Sequence, residues 1–546
     1  MPAALKTCAA LAALGATGVL PAQTRAAPTV APIARIGSDA EDRDRLAQLL
    51  GRSPTEGFLL RSSSSRTDTL PSPAAGLSWA LIPPDVLVVH NSGLPFSLND
   101  GSLWAGRGAS GSVTAGVRAR VGPVHVVLAP TFAYARNDDF RLPDARVAPP
   151  IPAPRSPYSN PWRVYRNSID LPLRFGSDPV STVDLGQSAI YVRHARVEAG
   201  LASENEWWGP GVRNAIVMSN NAPGFGHAFV RTARPVSTGV GAFGARYLLG
   251  TLSQSDYFAD GSEGRRSLSA LGVTFVPRKV PGLTVGFTRA VFAPVDNAGE
   301  TVQHLLDVLS STGRPNAYPI EDFRQEPGRD QLLSFFARLV LPEEGFESYV
   351  EWARAEMPAS FRDLLVAPNH SQGYTLGLQY ARPVTRSGTL VRAQAEVTAV
   401  NQSTTYRFRP TGSFYTSRAV LQGYTQRGQV IGAAIGPGGS SQFLAADVVH
   451  GRGSAGVFLG RIRWDDDSFY EIPRPQGNGL CKHDVTVLAG VRGGWRSALG
   501  TAAGSMGWGN RINTFYQNFG FCPENSDHVD TRNATLTLTL SPALPR

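Results

Sequence analysis

Alternation of apolar and polar side chains is the feature of this sequence that most limits its fold. The clearest units place apolar residues at every second position, as in Val113, Ala115, Val117, Ala119 and Val121, in Val391, Ala393, Ala395 and Val397, and in Ala534, Leu536, Leu538 and Leu540. A period of two is the pattern of a β-strand with two different faces. Short turns join several such units: Arg278–Gly282, Pro342–Gly345 and Pro383–Gly388. The sequence therefore predicts an all-β chain of antiparallel hairpins.

Such alternation fits a soluble sandwich or propeller, and it also fits a transmembrane barrel. The alternating units run about 9–11 residues, which is the length of a tilted membrane-spanning strand. Short turns alternate with the long connections Arg141–Asp170, Val295–Arg329 and Asn401–Gln442. Arg and Glu occupy mid-strand positions, which suits a wet lumen better than a dry core. We therefore predict a transmembrane antiparallel β-barrel of about 16–18 strands, since the chain allows about 25 residues for each strand and its connection.

Composition excludes several other classes of protein. Charged residues make up 17% of the chain and the mean hydropathy is −0.13. Beyond residue 22 no stretch approaches the roughly 20 apolar residues of a transmembrane helix. The net charge is +9, but the chain has no Lys/Arg-rich block and no zinc-ligand spacing, so we expect no nucleic-acid partner and no bound metal.

The N-terminal hundred residues differ from the rest. Residues 1–26 have the charged start, apolar centre and small-residue end of a secretory signal peptide. Residues 27–100 are expected to form a small, partly helical periplasmic segment, because Ser38 and Glu41 resemble a capping box before a helical run to Leu50. Residues 101–546 are assigned to the barrel. In the exported chain Cys481 and Cys522 would form one disulfide, or remain two buried thiols.

One short segment concentrates unusual chemistry. Residues 204–211 read ENEWWGPG, and they place Glu204 and Glu206 beside Trp207 and Trp208. Indole rings stack on sugar faces and carboxylates accept hydrogen bonds from sugar hydroxyls, so these four residues are carbohydrate-binding candidates. The alternative is a structural role, either in an interfacial aromatic girdle or in a segment that plugs the barrel.

A second group of candidates follows the strand that ends near Trp464. Phe469 and Tyr470 lie just beyond the acidic run 465–467, which suits a sugar-binding loop, a calcium-binding loop or a plain solvated loop tip. No spacing of Ser, His, Cys or Asp matches a catalytic motif. We therefore expect no catalytic residues, no cofactor and no enzyme activity.

Several motifs resemble those of the capsule assembly Wzi family of outer-membrane barrels. They are NDGSLWAGRG at 99–108, ENEWWGPG at 204–211 with SNNAP at 219–223, and GQVIGAAIGPG at 428–438, supported by 169–176 and 363–373. The resemblance implies a monomeric barrel of about 18 strands in the outer membrane with a small helical periplasmic part. It also implies a lectin-like role in holding capsular or related polysaccharide at the cell surface. The chain departs from many outer-membrane barrels by lacking a C-terminal aromatic residue.

Two functions remain open at this point, with a glycan hydrolase as a remote third. The first is a lectin-like barrel whose partners are an extracellular or capsular polysaccharide and the outer-membrane lipid. The alternative is a porin-like transport channel, whose lumen would be lined by Arg118, Arg120, Arg392 and Glu396.

Overall fold

Eighteen antiparallel strands close into a barrel in the computed structural model. The structure describes residues 29–30, 35–66, 76–143, 156–163, 168–258, 264–310, 328–358, 360–385, 388–407, 409, 411–417, 419–471, 479–480, 482–517, 519–520 and 529–543. The strands are β1 Leu77–Asn91, β2 Gly108–Val121, β3 Val124–Leu128 with Thr131–Ala135, β4 Val180–Asp184 with Ala189–His194, β5 Val197–Ala202, β6 His227–Thr232, β7 Gly241–Ser253, β8 Arg265–Pro277, β9 Leu283–Val295, β10 Asp330–Leu341, β11 Phe346–Arg354, β12 Gln372–Pro383, β13 Leu390–Ala399, β14 Ser440–His450, β15 Gly453–Trp464, β16 Asp484–Ser497, β17 Gly500–Ile512 and β18 Thr531–Pro542. Pairing of β18 with β1, from Thr535 opposite Asn91 to Leu540 opposite Val86, closes the barrel.

The predicted alternation sorts side chains between the two faces of the wall. Val113, Val117 and Val121 of β2 are exposed on the outside, whereas Arg118 is buried on the lumen side. The same holds for β18, where Leu536, Leu538 and Leu540 are exposed outward. An outward apolar band with an inward polar face is the arrangement of a membrane barrel, so the predicted fold class is confirmed. Among the described residues, no helix is both long enough and apolar enough to cross a membrane.

The barrel begins earlier than the sequence indicates. We expected it from residue 101, but β1 spans Leu77–Asn91 and lies inside the segment assigned to the periplasm. Its register with β2 shifts between Ile82 and Asp85. Pro83 and Pro84 occupy the shift, and because proline has no N–H for the ladder it interrupts the alternation that identifies a strand. The three predicted hairpins, by contrast, connect β8 to β9, β10 to β11 and β12 to β13, as expected.

Helical and short extended segments accompany the barrel. The α-helices are α1 Asp39–Leu49, α2 Ser63–Arg66, α3 Phe361–Val366 and α4 Asp466–Glu471, and the 3-10 helices are Pro161–Arg163, Ala298–His304, Asp307–Leu309, Thr404–Arg407 and Thr514–Tyr516. Short strands are Thr29–Val30, Leu60–Ser62, Glu206–Trp208, Val236–Ser237, Thr425–Gln426, Gln429–Val430, Gly479–Leu480 and Phe519–Gly520. The predicted signal peptide, residues 1–26, lies outside the described residues.

Helix α1 lies inside the lumen at the end where the turns are short. Leu46 and Leu49 pack against Val340 of β10 and Ala381 of β12. The helix begins after Ser38 as predicted, but the Ser38 side chain makes no capping hydrogen bond. Glu41 instead accepts from the backbone N–H of Gly37 and pairs with Arg61. The helix is therefore held by charges and leucines that face the barrel wall.

At the other end, where the connections are long, the chain folds back into the lumen. Tyr415, Tyr424 and Ile431 of the connection between β13 and β14 belong to one buried cluster with Trp208 and Met218. This cluster also includes inward residues of the wall, such as Leu248, Leu268, Phe292 and Leu332. The long connection Asn401–Gln442 is thus in part a plug, because its apolar side chains are buried against the inner wall of the barrel.

The connection after β9 does not enter the lumen in its described part, residues 296–310, but covers part of the outer face of the wall. Its 3-10 helices, Ala298–His304 and Asp307–Leu309, contact β8 and β9. Beneath them Arg289, an outward residue at the middle of β9, is buried and donates to the Val308 carbonyl at 2.9 Å and to Gln331 at 2.8 Å. The opposite side of this flap, residues 298–309, exposes four apolar side chains: Val302, Leu305, Leu306 and Leu309. The flap therefore replaces a polar patch of the wall with an apolar surface.

We expect the flap to lie in the outer part of the bilayer. An outward arginine at mid-strand would cost about 2–4 kcal/mol in contact with lipid, and the flap removes that contact. In liposomes containing brominated lipid, the tryptophan of Leu306→Trp should be strongly quenched, and that of Glu343→Trp, in an exposed short turn, should not. Equal quenching at the two positions would contradict this placement.

Candidate functional site

The ENEWWGPG segment forms the centre of the lumen plug. Glu206, Trp207 and Trp208 pair as a short antiparallel strand with Leu60–Ser62, away from the barrel wall. Trp207 is 1% exposed and Trp208 is 0% exposed. Their indole N–H groups are also engaged, by the Gly211 carbonyl at 3.2 Å and by Glu206 at 3.0 Å. Neither ring presents a face to solvent, so stacking on a sugar would require the plug to open.

The two glutamates of this segment neutralise arginines of the wall. Glu206 accepts from Arg246 of β7 at 2.5 Å, and Glu204 lies 3.4 Å from Arg231 of β6. Glu204 also accepts from the backbone N–H and the hydroxyl of Ser64, at 2.6 and 2.7 Å. Burial alone would raise the pKa of Glu204, but Arg231 and Arg246 hold it below its ordinary value. These carboxylates are buried partners of wall charges.

Glycine is required where this segment turns. Gly209 has a φ of 114°, and a Cβ atom there would lie 2.9 Å from an oxygen of Glu351 on β11. Glu351 in turn accepts from the backbone N–H of Ile216 at 3.2 Å. The glycine therefore allows the plug to approach a buried carboxylate of the wall.

The predicted lumen residues lie on the inner face of the wall, where two of the four contact the plug. Arg392 makes two hydrogen bonds to Asp42 of α1, at 2.5 and 2.7 Å. Glu396 accepts from the backbone N–H groups of residues 212–214, the shortest at 2.6 Å. Arg118 is also buried, and Arg120 donates to the Gly122 carbonyl at 3.2 Å. Burial alone would raise the pKa of Asp42, but Arg392 lowers it to about 2, so this ion pair persists over the physiological pH range.

The second group of candidates lies at the long-loop end of β15. Trp464 is partly buried, its indole N–H donates to Thr486 at 2.8 Å, and Arg511 lies 5.0 Å over its ring. Phe469 and Tyr470 follow on α4, and His483 lies 4.0 Å from the Phe469 ring. Tyr470 is 44% exposed. Of the five aromatic residues predicted to bind carbohydrate, Tyr470 is thus the one with a widely accessible ring.

The acidic run 465–467 anchors α4 at the rim. Asp465 accepts from Arg163 at 3.1 Å and from Ser468 at 2.9 Å. Asp466 pairs with Arg463 at 3.0 Å and His483 at 2.5 Å, and Asp467 accepts from the Gln402 backbone at 2.8 Å. These carboxylates therefore fix Phe469 and Tyr470 in place. In the part of the chain that the structure describes, no group of three or more His, Cys, Asp or Glu could hold a metal ion. Cys481 and Cys522, the disulfide candidates, lie outside the described residues.

The comparisons with known proteins agree with this architecture. The family model "Capsule assembly protein Wzi" matches residues 92–448. The chain belongs to this family. The Wzi-family assignment places it in the outer membrane, where short turns face the periplasm and long loops face outward. No curated protein matches the chain significantly in sequence.

One solved structure shares the fold of this chain. Wzi of Escherichia coli, described as an outer-membrane protein involved in group 1 capsule assembly and a carbohydrate-binding β-barrel, matches with a TM-score of 0.50 and 12% identity, over 85% of each chain. OprD of Pseudomonas aeruginosa matches with a TM-score of 0.37 and 10% identity, over 84% of this chain and 93% of its own. At such identities the first match shows a shared fold and nothing finer.

Proposed function

We propose that this barrel binds capsular or another extracellular polysaccharide at its long-loop rim and helps to attach or assemble it at the cell surface. The observation that carries the proposal is the exposed Tyr470 ring on a helix fixed by the carboxylates at 465–467. A rigid aromatic ring on a braced support is the kind of anchor that binds at low entropic cost. Membership of the Wzi family, and the carbohydrate binding described for Wzi of Escherichia coli, support the same role.

The plug favours binding over transport. Helix α1, the ENEWWGPG segment and the returning loop between β13 and β14 pack against inward residues of the wall. The arginine and glutamate that were predicted to line an open pore, Arg392 and Glu396, are instead engaged by the plug. We therefore rank the polysaccharide-binding role above the porin-like alternative.

Replacing Tyr470 by alanine is expected to weaken polysaccharide binding about tenfold, equivalent to about 1.4 kcal/mol. Binding of the producing cell's own surface polysaccharide to the purified protein would be measured, together with the amount retained on cells. Tyr380→Ala is the matched control, because Tyr380 is equally exposed but lies on the outer wall near the short turns. Unchanged binding in Tyr470→Ala would refute the rim site.

A further inference from the structure

A cavity of about 400 Å³ remains between the plug and one side of the barrel. On the wall side it is lined by inward residues of β14 to β18 and β1. On the plug side it is lined by α1, by residues 94–100 and by residues 207–213. It reaches the short-turn end at Arg452 and Arg496 and extends along β17 as far as Arg511. It is therefore a long space on the inner wall, distinct from the rim around Tyr470.

The space exists because the wall presents small side chains there. The inward residues of β17 are Ala503, Ser505, Gly507 and Gly509, and those of β18 include Thr535, Thr537 and Thr539. None of these can reach the plug across the lumen. The result is a wall of hydroxyl groups and open backbone, with Phe443 and Phe458 beside it. A stripe of small residues is not in itself a binding site, so the charges that face it decide its chemistry.

Arginine dominates the charged lining. Arg492 forms an ion pair with Asp447, and Arg511 forms one with Asp484, each at 2.6 Å. Among the described residues, Arg213, Arg452 and Arg496 form no close ion pair with a carboxylate. Glu396, Asp100 and Asp42 act on Arg213 from farther away. The Arg213 guanidinium lies 4.3 Å over the Phe443 ring, which leaves its N–H donors available to a ligand. Arg213 is half-buried inside the lumen, where low-dielectric walls strengthen the local field and attract anions, whereas Arg452 and Arg496 are exposed at the short-turn end.

Asp100 is an acidic residue of this lining. Asp100 accepts from the Ser97 hydroxyl at 2.8 Å, and burial raises its pKa to about 6. Arg35 and Arg213 act on it in the opposite direction. At the other end, burial and Arg496 lower the pKa of Arg43 and Asp44 acts in the opposite direction, while Arg43 pairs with Asp39. The other carboxylates of the lining, Asp39, Glu41, Asp42 and Asp447, each pair with an arginine. The lining as a whole carries more arginines than carboxylates.

We propose that this cavity is a second binding site, which takes an acidic saccharide unit bearing a carboxylate. Guanidinium groups bind carboxylates through two parallel hydrogen bonds, the threonine and serine row can pair with sugar hydroxyls, and Phe443 and Phe458 can contact an apolar sugar face. A volume of about 400 Å³ is within the usual range of small-ligand pockets. Neither Phe469 nor Tyr470 lines the cavity, so the proposal does not depend on polysaccharide binding at Tyr470.

Calorimetric titration of the purified full-length protein in detergent tests this site. D-glucuronate is expected to bind, and D-glucose, which lacks the carboxylate, is expected to bind at least tenfold more weakly. Equal binding of glucose would overturn the acidic requirement. Inorganic phosphate bound as tightly as glucuronate would show a simple anion site and would overturn the saccharide assignment.

Two variants locate the site. Arg213→Met keeps an apolar chain against Phe443 but removes the donors, and Ser505→Leu fills part of the cavity from the wall. Both should lower glucuronate affinity at least tenfold, whereas Tyr470→Ala at the rim should leave it unchanged. Heat-modifiable electrophoretic mobility confirms that each variant is folded. Glucuronate binding that survives in both folded variants, or that is lost in Tyr470→Ala, would contradict the proposal.

Discussion

Replacing Glu347 by alanine is expected to destabilise the barrel by about 3–5 kcal/mol. Glu347 of β11 is fully buried and accepts from Arg338 of β10, at 3.0 and 3.1 Å, and from Arg45 of α1 at 2.9 Å. Its removal leaves two buried guanidinium groups without their carboxylate. Among the described residues, only Arg338 keeps another side-chain hydrogen bond, to Gln48 of α1 at 2.6 Å. The loss should also release α1 from the short-turn end.

The free energy of unfolding in urea, followed in detergent micelles, measures this effect. Glu343→Ala is the matched control, because Glu343 lies in the exposed turn before β11 and its loss should change stability by less than about 0.5 kcal/mol. Replacing all three charges, by Glu347→Leu with Arg45→Met and Arg338→Met, should recover most of the loss, since no buried charge is then unmatched. A loss below about 1 kcal/mol in Glu347→Ala would contradict a structural role for this triad.

Truncation of the paired tryptophans is the second large effect. Trp208→Ala should cost about 3–5 kcal/mol, and Trp207→Ala a similar amount, because each removes a fully buried ring from a packed interior. Trp208 packs with Ile216, Met218 and Ile431, and Trp207 with Ile36 and Ala215. Both changes should lower the urea midpoint and the yield of heat-modifiable barrel.

The matched control is Trp495→Ala, at an exposed position near the short-turn end of β16, which should change stability by less than about 0.5 kcal/mol. Polysaccharide retention should fall in Trp207→Ala and Trp208→Ala only as far as the amount of assembled barrel falls. A variant carrying both Trp207→Ala and Trp208→Ala that assembles fully but no longer retains polysaccharide would contradict the structural role. It would indicate instead that these indoles stack on sugar.

At the rim, part of the candidate site could be predicted from the sequence. Trp464, Phe469 and Tyr470 were selected because aromatic residues flank an acidic run, and the structure brings them to one end of β15. The sequence does not predict which of the three rings is exposed, because Phe469 packs against His483 and Trp464 donates to Thr486. Two residues of the cavity lining, Arg392 and Trp207, are among the predicted candidates, whereas Arg213 and Arg492 are not. The alternating threonines at 535, 537 and 539 were a signal, but a polar inward face is also typical of a barrel without a site.

The sequence by itself determined the alternating strands beyond residue 101, three of their hairpins and the two unlike faces of each strand, but not β1 at Leu77–Asn91. Alternation depends only on the two-residue period of a strand, so it can be recognised in the sequence without knowing which strands are adjacent. Only the tertiary structure decided what fills the lumen. Glu204 contacts Arg231, and Trp208 packs with Ile216. Arg246 of β7 also lies close to Glu204 and pairs with Glu206. These contacts, which the local sequence does not specify, decide whether the segment can reach a sugar. Closure of the barrel brings these residues together, and burial of matched charges then makes them structural.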